Sequence, residues 1–221
     1  MCDLILIKHQ ITNSYVLHVA KSWNSKTILT TSNKLKKILK WLKVILIPLH
    51  KNLNNNDKME IELLKKENTP QNVIQHSIAV CKKAMKIASN FDNANKDLIR
   101  KGALLHDIGR SKTHNITHAI EGVKIAERYG YSRDVLNIIE RHIGAGITEE
   151  EAEKLGLPRK SYLPETLEEK IVAHADNLIS GIEEVDIDFV IKKWKRRIED
   201  SEDNIERLMQ LDDELIKAFE E

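Results

Sequence analysis

The stretch Asp97-Leu-Ile-Arg-Lys-Gly-Ala-Leu-Leu-His-Asp-Ile-Gly109 reads as a helix that ends at Leu105 and runs into a turn at His106-Asp107-Ile108-Gly109. It sets an imidazole and a carboxylate side by side at a helix end. The flanking sequence is helical too. Upstream, Thr69-Pro70 reads as an N-cap with proline at the first helical position. The helix it opens carries Val73, Ile74, Ile78, Val80, Ala84, Ile87 and Ala88 and runs to about Phe91. Downstream, residues 117–129 form a helix stopped by Gly130, and Ser132 caps another that runs through His142. Thr148 and Glu151 make a capping box for a short helix that stops at Gly156. Residues 158–164 read as loop and 165–179 as helix, with the run Ile171-Val-Ala-His-Ala175 apolar on nearly all sides and hence expected to be buried. Residues 188–199 and 201–219 complete the series as amphipathic helices rich in opposite charges. The few Gly (8) and Pro (4) agree with long helices. The expected fold class is all-α, a helical bundle.

The N-terminal part is of another kind. Residues 1–56 hold nine Lys, no Arg and one acid, Asp3, whereas the other 165 residues hold 26 basic and 33 acidic side chains. So abrupt a change of charge suggests two segments of different history. Thr27-Ile-Leu-Thr-Thr-Ser32 has strand character, and residues 34–49 read as a basic amphipathic helix fit for a membrane surface or nucleic acid, or else as a poorly ordered tail. A polar, Asn-rich linker at 52–57 leads to Met59, a candidate start of translation. The expected division is an N-terminal extension, 1–58, and a helical domain, 59–221. The two cysteines, Cys2 and Cys81, make no disulfide framework or zinc knuckle, which favours a reducing compartment and a cytoplasmic location. No signal peptide is visible, and the apolar run 44–49 falls far short of the roughly 18–20 residues that span a bilayer.

A His-Asp dipeptide says little by itself, since chance gives about half of one in a chain with this many of each residue. Placement says more. His76 lies mid-helix among apolar residues, His106-Asp107 ends a helix, His118 begins one, His142 ends one, and Asp176 follows the buried run. Each stands where a side chain can point into a bundle core, as single metal ligands on facing helices do. A buried carboxylate needs a cation, and imidazole with carboxylate suits Mn, Fe, Co, Ni or Zn.

The set His76…His106-Asp107…Asp176 resembles the HD superfamily of metal-dependent phosphohydrolases, and His106-Asp107-Ile108-Gly109 resembles its HDIG subgroup. The stretches 141–148 and 167–178 are similar to a small, mostly archaeal HDIG family. The resemblance covers about residues 59–200. It implies an HD-domain bundle in which His76, His106, Asp107 and Asp176 hold one divalent ion. Asp107 then bridges to a second ion held by His118 and His142. Two metals about 3.5–4 Å apart share a water and lower its pKa, which yields hydroxide at neutral pH. The implied substrate is a phosphomonoester or phosphodiester, of nucleotide type. Arg110 stands where many HDIG proteins carry Lys and can clamp phosphate bidentately; Lys112 is a second candidate. His114 reads as a surface residue or else as an acid lining the site, and His174 as core or support for a ligand. Arg141 reads as reaching substrate or pairing with Glu140 or Glu149. Residues 147–164 are long enough for a lid. Two other readings stay open: a di-iron oxygenase, built from the same ligands, and a non-catalytic binding module. Nucleic acid is a candidate partner through the basic stretch 34–43.

Overall fold

Among the described residues of the computed structural model, 57–197 and 201–219, side-chain caps close the starts of four of the nine helices; the expected Ser132 cap makes no such bond. The strand-like run 27–32 and the basic stretch 34–49 lie outside the described residues. Helix α1 spans Lys58–Lys66. Helix α2 (Gln71–Ala88) is entered through Pro70, whose ring fixes φ at −55°. The expected Thr69 cap is corrected: Pro70 itself is the cap residue, and the buried Thr69 hydroxyl has no hydrogen-bond partner. Helix α3 (Lys96–Leu105) starts where Asn95 Oδ1 accepts from the Leu98 N–H at 3.1 Å. A short 3-10 turn, Ile108–Ser111, follows it.

Helices α4 (His118–Arg128) and α5 (Arg133–Arg141) come next, separated at Gly130, whose φ of +76° closes α4 as expected of a glycine in that place. Helix α6 (Glu149–Lys154) has both bonds of the capping box: Glu151 N–H to Thr148 Oγ1 at 3.2 Å and Thr148 N–H to Glu151 Oε2 at 2.7 Å. Helix α7 (Leu167–Asn177), capped by Thr166, stops two residues earlier than its pattern suggests. The chain there enters a small antiparallel hairpin, β1 (Ile179–Ser180) with β2 (Glu183–Glu184). Helix α8 (Ile187–Lys195) is capped by Asp186, and α9 (Glu202–Leu215) gives way to a 3-10 turn, Lys217–Phe219, in place of one helix running to 219.

The all-α expectation holds, apart from that hairpin. Helices α3 and α7 lie at the centre, each packed on α2 and α5. Ile99, Leu104, Leu105, Ile108, Ile138, Ile139 and Ile171 are fully buried there. Burying each such side chain is worth about 1.5–3 kcal/mol, so the helix ends that carry the polar groups are fixed by the apolar faces beneath them. Two glycines set the closest approach: Gly109 in the 3-10 turn and Gly122 in α4 meet with no room for a side chain on Gly109. No helix among the described residues is long and apolar enough to cross a membrane.

Candidate metal centre

Five helices and the turn after one of them deliver six side chains to one place. His76 comes from the middle of α2, His106 from the end of α3, Asp107 from the turn after it, His118 from the start of α4, His142 from the end of α5, and Asp176 from the last turn of α7. His76 Nε2 lies 2.8 Å from Asp176 Oδ1, and His106 Nε2 lies 3.5 Å from the same oxygen and 3.7 Å from Asp107 Oδ2. On the other side, Asp107 Oδ1 is 3.1 Å from His118 Nε2 and 3.6 Å from His142 Nε2. The ligand atoms fall into overlapping triads. His76, His106 and Asp107 form one, Asp107, His118 and His142 another, and His106, His142 and Asp176 a third; within each, the atoms lie within 4.8 Å of one another. Asp107 belongs to the first two.

Every imidazole is oriented in the same way. The Nδ1 atoms of His76, His106, His118 and His142 contact the carbonyls of Gly181, Ala103, Asn115 and Ile139 at 2.8, 2.7, 2.8 and 2.8 Å. A carbonyl only accepts, so each Nδ1 carries a proton and donates it, leaving each Nε2 as the ligand atom. This is the support usual for metal-binding histidines. It also produces a conflict: His118 Nε2 and His142 Nε2 lie 3.1 Å apart, two lone pairs facing each other beside a carboxylate. Such an arrangement needs a proton or a cation between them. His106 Nε2 and Asp107 Oδ1 are buried and make no hydrogen bond, as expected of atoms reserved for an ion. The donor set fits a divalent metal of the imidazole-carboxylate type.

The electrostatics agree. Burial disfavours the charged ring of His106, but the Asp107 and Asp176 carboxylates outweigh it and hold its pKa up to about 9. Burial likewise opposes the charge on Asp107, yet the His106 charge and the adjoining His118 and His142 rings keep its carboxyl well below the usual carboxylate range. Asp176 is held low in the same manner by His106 and His76. His142 is pushed down by burial. The carboxylates therefore stay ionised and demand positive charge.

The site opens on one side. His106, His118 and His142 are buried, whereas the side chains of His76, Asp176 and Arg110 are 18, 21 and 29% exposed. Arg110 Nε donates to Asp107 Oδ2 at 2.6 Å, and its terminal nitrogens have no partner among the described residues.

Lys112 and Arg141 pair with carboxylates outside these six residues. The Lys112 ammonium pairs with the largely covered Glu67 at 3.1 Å. Arg141 pairs with neither Glu140 nor Glu149; it bridges Glu165 at 2.8 Å and Glu169 at 2.9 Å. His114 is exposed, as a surface residue should be. His174 is fully buried and bonded through Nε2 to Asp212 at 3.0 Å, tying α7 to α9. Two positioning groups stand beside the six: the sequence reading gave Gly181 no part and noted Asn177 only as the neighbour of Asp176. Gly181, at φ +69° in the hairpin loop, presents the carbonyl that aims His76. Asn177 Nδ2 donates to Gly144 O at 2.9 Å and holds the loop that follows His142. A backbone carbonyl leaves no mark in a side-chain pattern; Asn177, beside Asp176, did.

Residues 73–181 match the HD domain family model. An uncharacterized protein of Methanocaldococcus jannaschii is 50% identical over 149 residues, which is 66% of this chain and 88% of that protein. A tRNA (cytidine(56)-2'-O)-methyltransferase of Picrophilus torridus is 48% identical over 135 residues, 61% of this chain but 39% of that protein. A Ribonuclease Y of Thermosipho melanesiensis is 36% identical over 151 residues, 67% of this chain and 24% of that protein. The chain thus spans less than half the length of these last two relatives.

Proposed function

This chain belongs to the HD domain family, and from that premise we propose that it is a metal-dependent phosphohydrolase acting on a nucleotide-type phosphoester. The observation that carries the reading is the pair of Nε2 lone pairs of His118 and His142, 3.1 Å apart, with Asp107 Oδ1 beside them. In this proposal His76, His106, Asp107 and Asp176 hold one divalent ion, and Asp107, His118 and His142 hold a second. The sharing of Asp107 between two triads supports the bridging role. Bound divalent ions supply a hydroxide at neutral pH and offset charge on the phosphoryl oxygens.

The protein's own groups do the rest. The four Nδ1–H···O=C bonds fix the rings, so that little reorganisation accompanies turnover. Arg110, anchored through Nε on Asp107, offers its terminal nitrogens to a phosphate arriving from the open side. Hydrolysis adds water across one P–O bond: its oxygen goes to phosphorus, its proton to the departing oxygen. Lys112 has no part in this scheme, because Glu67 holds it.

The experiment is a phosphoester panel assayed with purified protein and added Mn, Co or Ni. At least one nucleotide monoester or diester should be hydrolysed, and His106→Ala and Asp107→Ala should each abolish release. Absence of turnover across the panel, with metal demonstrably bound, would overturn the reading.

A further inference from the structure

The last turn of helix α8 and the two residues after it read Lys192-Lys193-Trp194-Lys195-Arg196-Arg197, five cations in six residues with no acid among them. Several lysines elsewhere find carboxylates: Lys83 with Glu184 at 2.6 Å, Lys160 with Glu140 at 2.6 Å, Lys170 with Glu214 at 2.9 Å. Among the described residues none of these five cations does; their one bond is local, Arg196 Nε to the Lys192 carbonyl at 3.1 Å. Lys192, Lys195, Arg196 and Arg197 are exposed. Concentrated charge of this sort is released from its counterions by a polyanion.

Position gives the charge its meaning. The Trp194 indole lies over Gly144: a β-carbon on that glycine would stand 3.6 Å from Trp194 Cη2. Gly144 is two residues past His142, and its carbonyl takes the bond from Asn177, the neighbour of Asp176. The indole therefore docks the basic segment on the loop that links the two halves of the metal centre. The opposite face of α8 carries Phe189, 46% exposed, three and seven residues before Lys192 and Arg196 and so on the same side of the helix. An exposed ring among cations is what a nucleic acid strand needs, one to stack a base and the others to hold phosphates. Three of the site's four imidazoles, those of His106, His118 and His142, are buried, a depth that suits a flexible single strand better than a duplex.

We propose that residues 189–197 form a binding surface for a single polynucleotide strand and lead its backbone to the metal centre. The ester cleaved is then a link of an oligonucleotide rather than a free nucleotide. This rests on the phosphohydrolase reading above.

The test is fluorescence anisotropy of a labelled oligoribonucleotide, about 16 nucleotides long, titrated with the full chain in EDTA so that no strand is cut. Binding should weaken about a hundredfold between about 50 and 200 mM salt. The triple variant Lys192→Gln, Lys195→Gln, Arg196→Gln should bind at least about tenfold more weakly and lower the salt slope by about 2. Phe189→Ala should weaken binding about threefold or more without changing that slope. A DNA strand of the same sequence should bind comparably, because the contacts are to phosphates; strong selection between the sugars would contradict a backbone surface. The proposal is overturned if the wild type does not bind, or if the triple variant keeps its affinity and slope, which would assign binding to another part of the chain. It is overturned equally if the variant loses binding to phosphatidylserine vesicles while strand binding is unmoved, the mark of a membrane surface. Hydrolysis of bis(p-nitrophenyl) phosphate with added Mn reads the metal centre alone and should be the same in the triple variant and the wild type. If no ester is hydrolysed yet strand binding still depends on these residues, the phosphohydrolase reading fails and the strand surface stands.

Discussion

Gly109 sits directly against His118: a β-carbon on Gly109 would lie 1.9 Å from the His118 carbonyl oxygen and 2.5 Å from the Gly122 nitrogen. The contact lets the turn that bears Asp107 touch the first turn of α4, so Asp107 Oδ1 and His118 Nε2 come within 3.1 Å. Both neighbours are backbone and cannot swing aside. Gly109→Ala should therefore push α4 outward, cost about 1–3 kcal/mol of stability and impair the Asp107–His118–His142 triad. Thermal unfolding and metal content of the variant check this; wild-type values in both would refute it.

Metal uptake should release a proton. The folded pKa of His106, about 9, lies above its ordinary value of 6.5. Protonated His106 thus stabilises the metal-free protein fully below pH 6.5, and that contribution is lost as pH rises through about 9. An ion bound at His106 Nε2 displaces that proton, so affinity should climb with pH across this window. Calorimetric titration at pH near 7.5 in buffers of different ionisation enthalpy should show about one proton released per chain. A buffer-independent heat would contradict it.

Removing one side of the site should leave the other loaded. His118→Ala or His142→Ala should reduce bound divalent metal from two ions to one and lower turnover more than about a hundredfold. Elemental analysis of dialysed protein gives the stoichiometry. Unchanged metal content in both variants would remove the second ion from the account.

The His174–Asp212 pair should behave as a purely structural bond. Asp212→Ala leaves a buried imidazole without its partner and should cost about 1–3 kcal/mol, measured by denaturant unfolding, with metal content unaffected. A loss of metal at unchanged stability would assign His174 to the site instead.

The sequence was most readable where local periodicity and local chemistry coincide. The helices from α2 to α7 follow from apolar spacing and caps such as Thr148 with Glu151, and the His106-Asp107 turn carries its own signature. His76 and Asp176 were legible as polar residues on faces that had to be buried. The hairpin at 179–184 was not, because two-residue strands show no period. Nor was the partner of Lys112, since a surface lysine reaches whichever carboxylate the fold brings near, here Glu67. The basic run 192–197 could be spelled from the chain, but only the contact of Trp194 with Gly144 ties it to His142.

The most direct test of the central claim is an anomalous-difference map from crystals of the protein grown with Mn. The account predicts two peaks about 3.5–4 Å apart, one bounded by His76, His106 and Asp176, the other by His118 and His142, with Asp107 between them. Crystals diffracting well with Mn present, and no anomalous density among these six side chains, would contradict it.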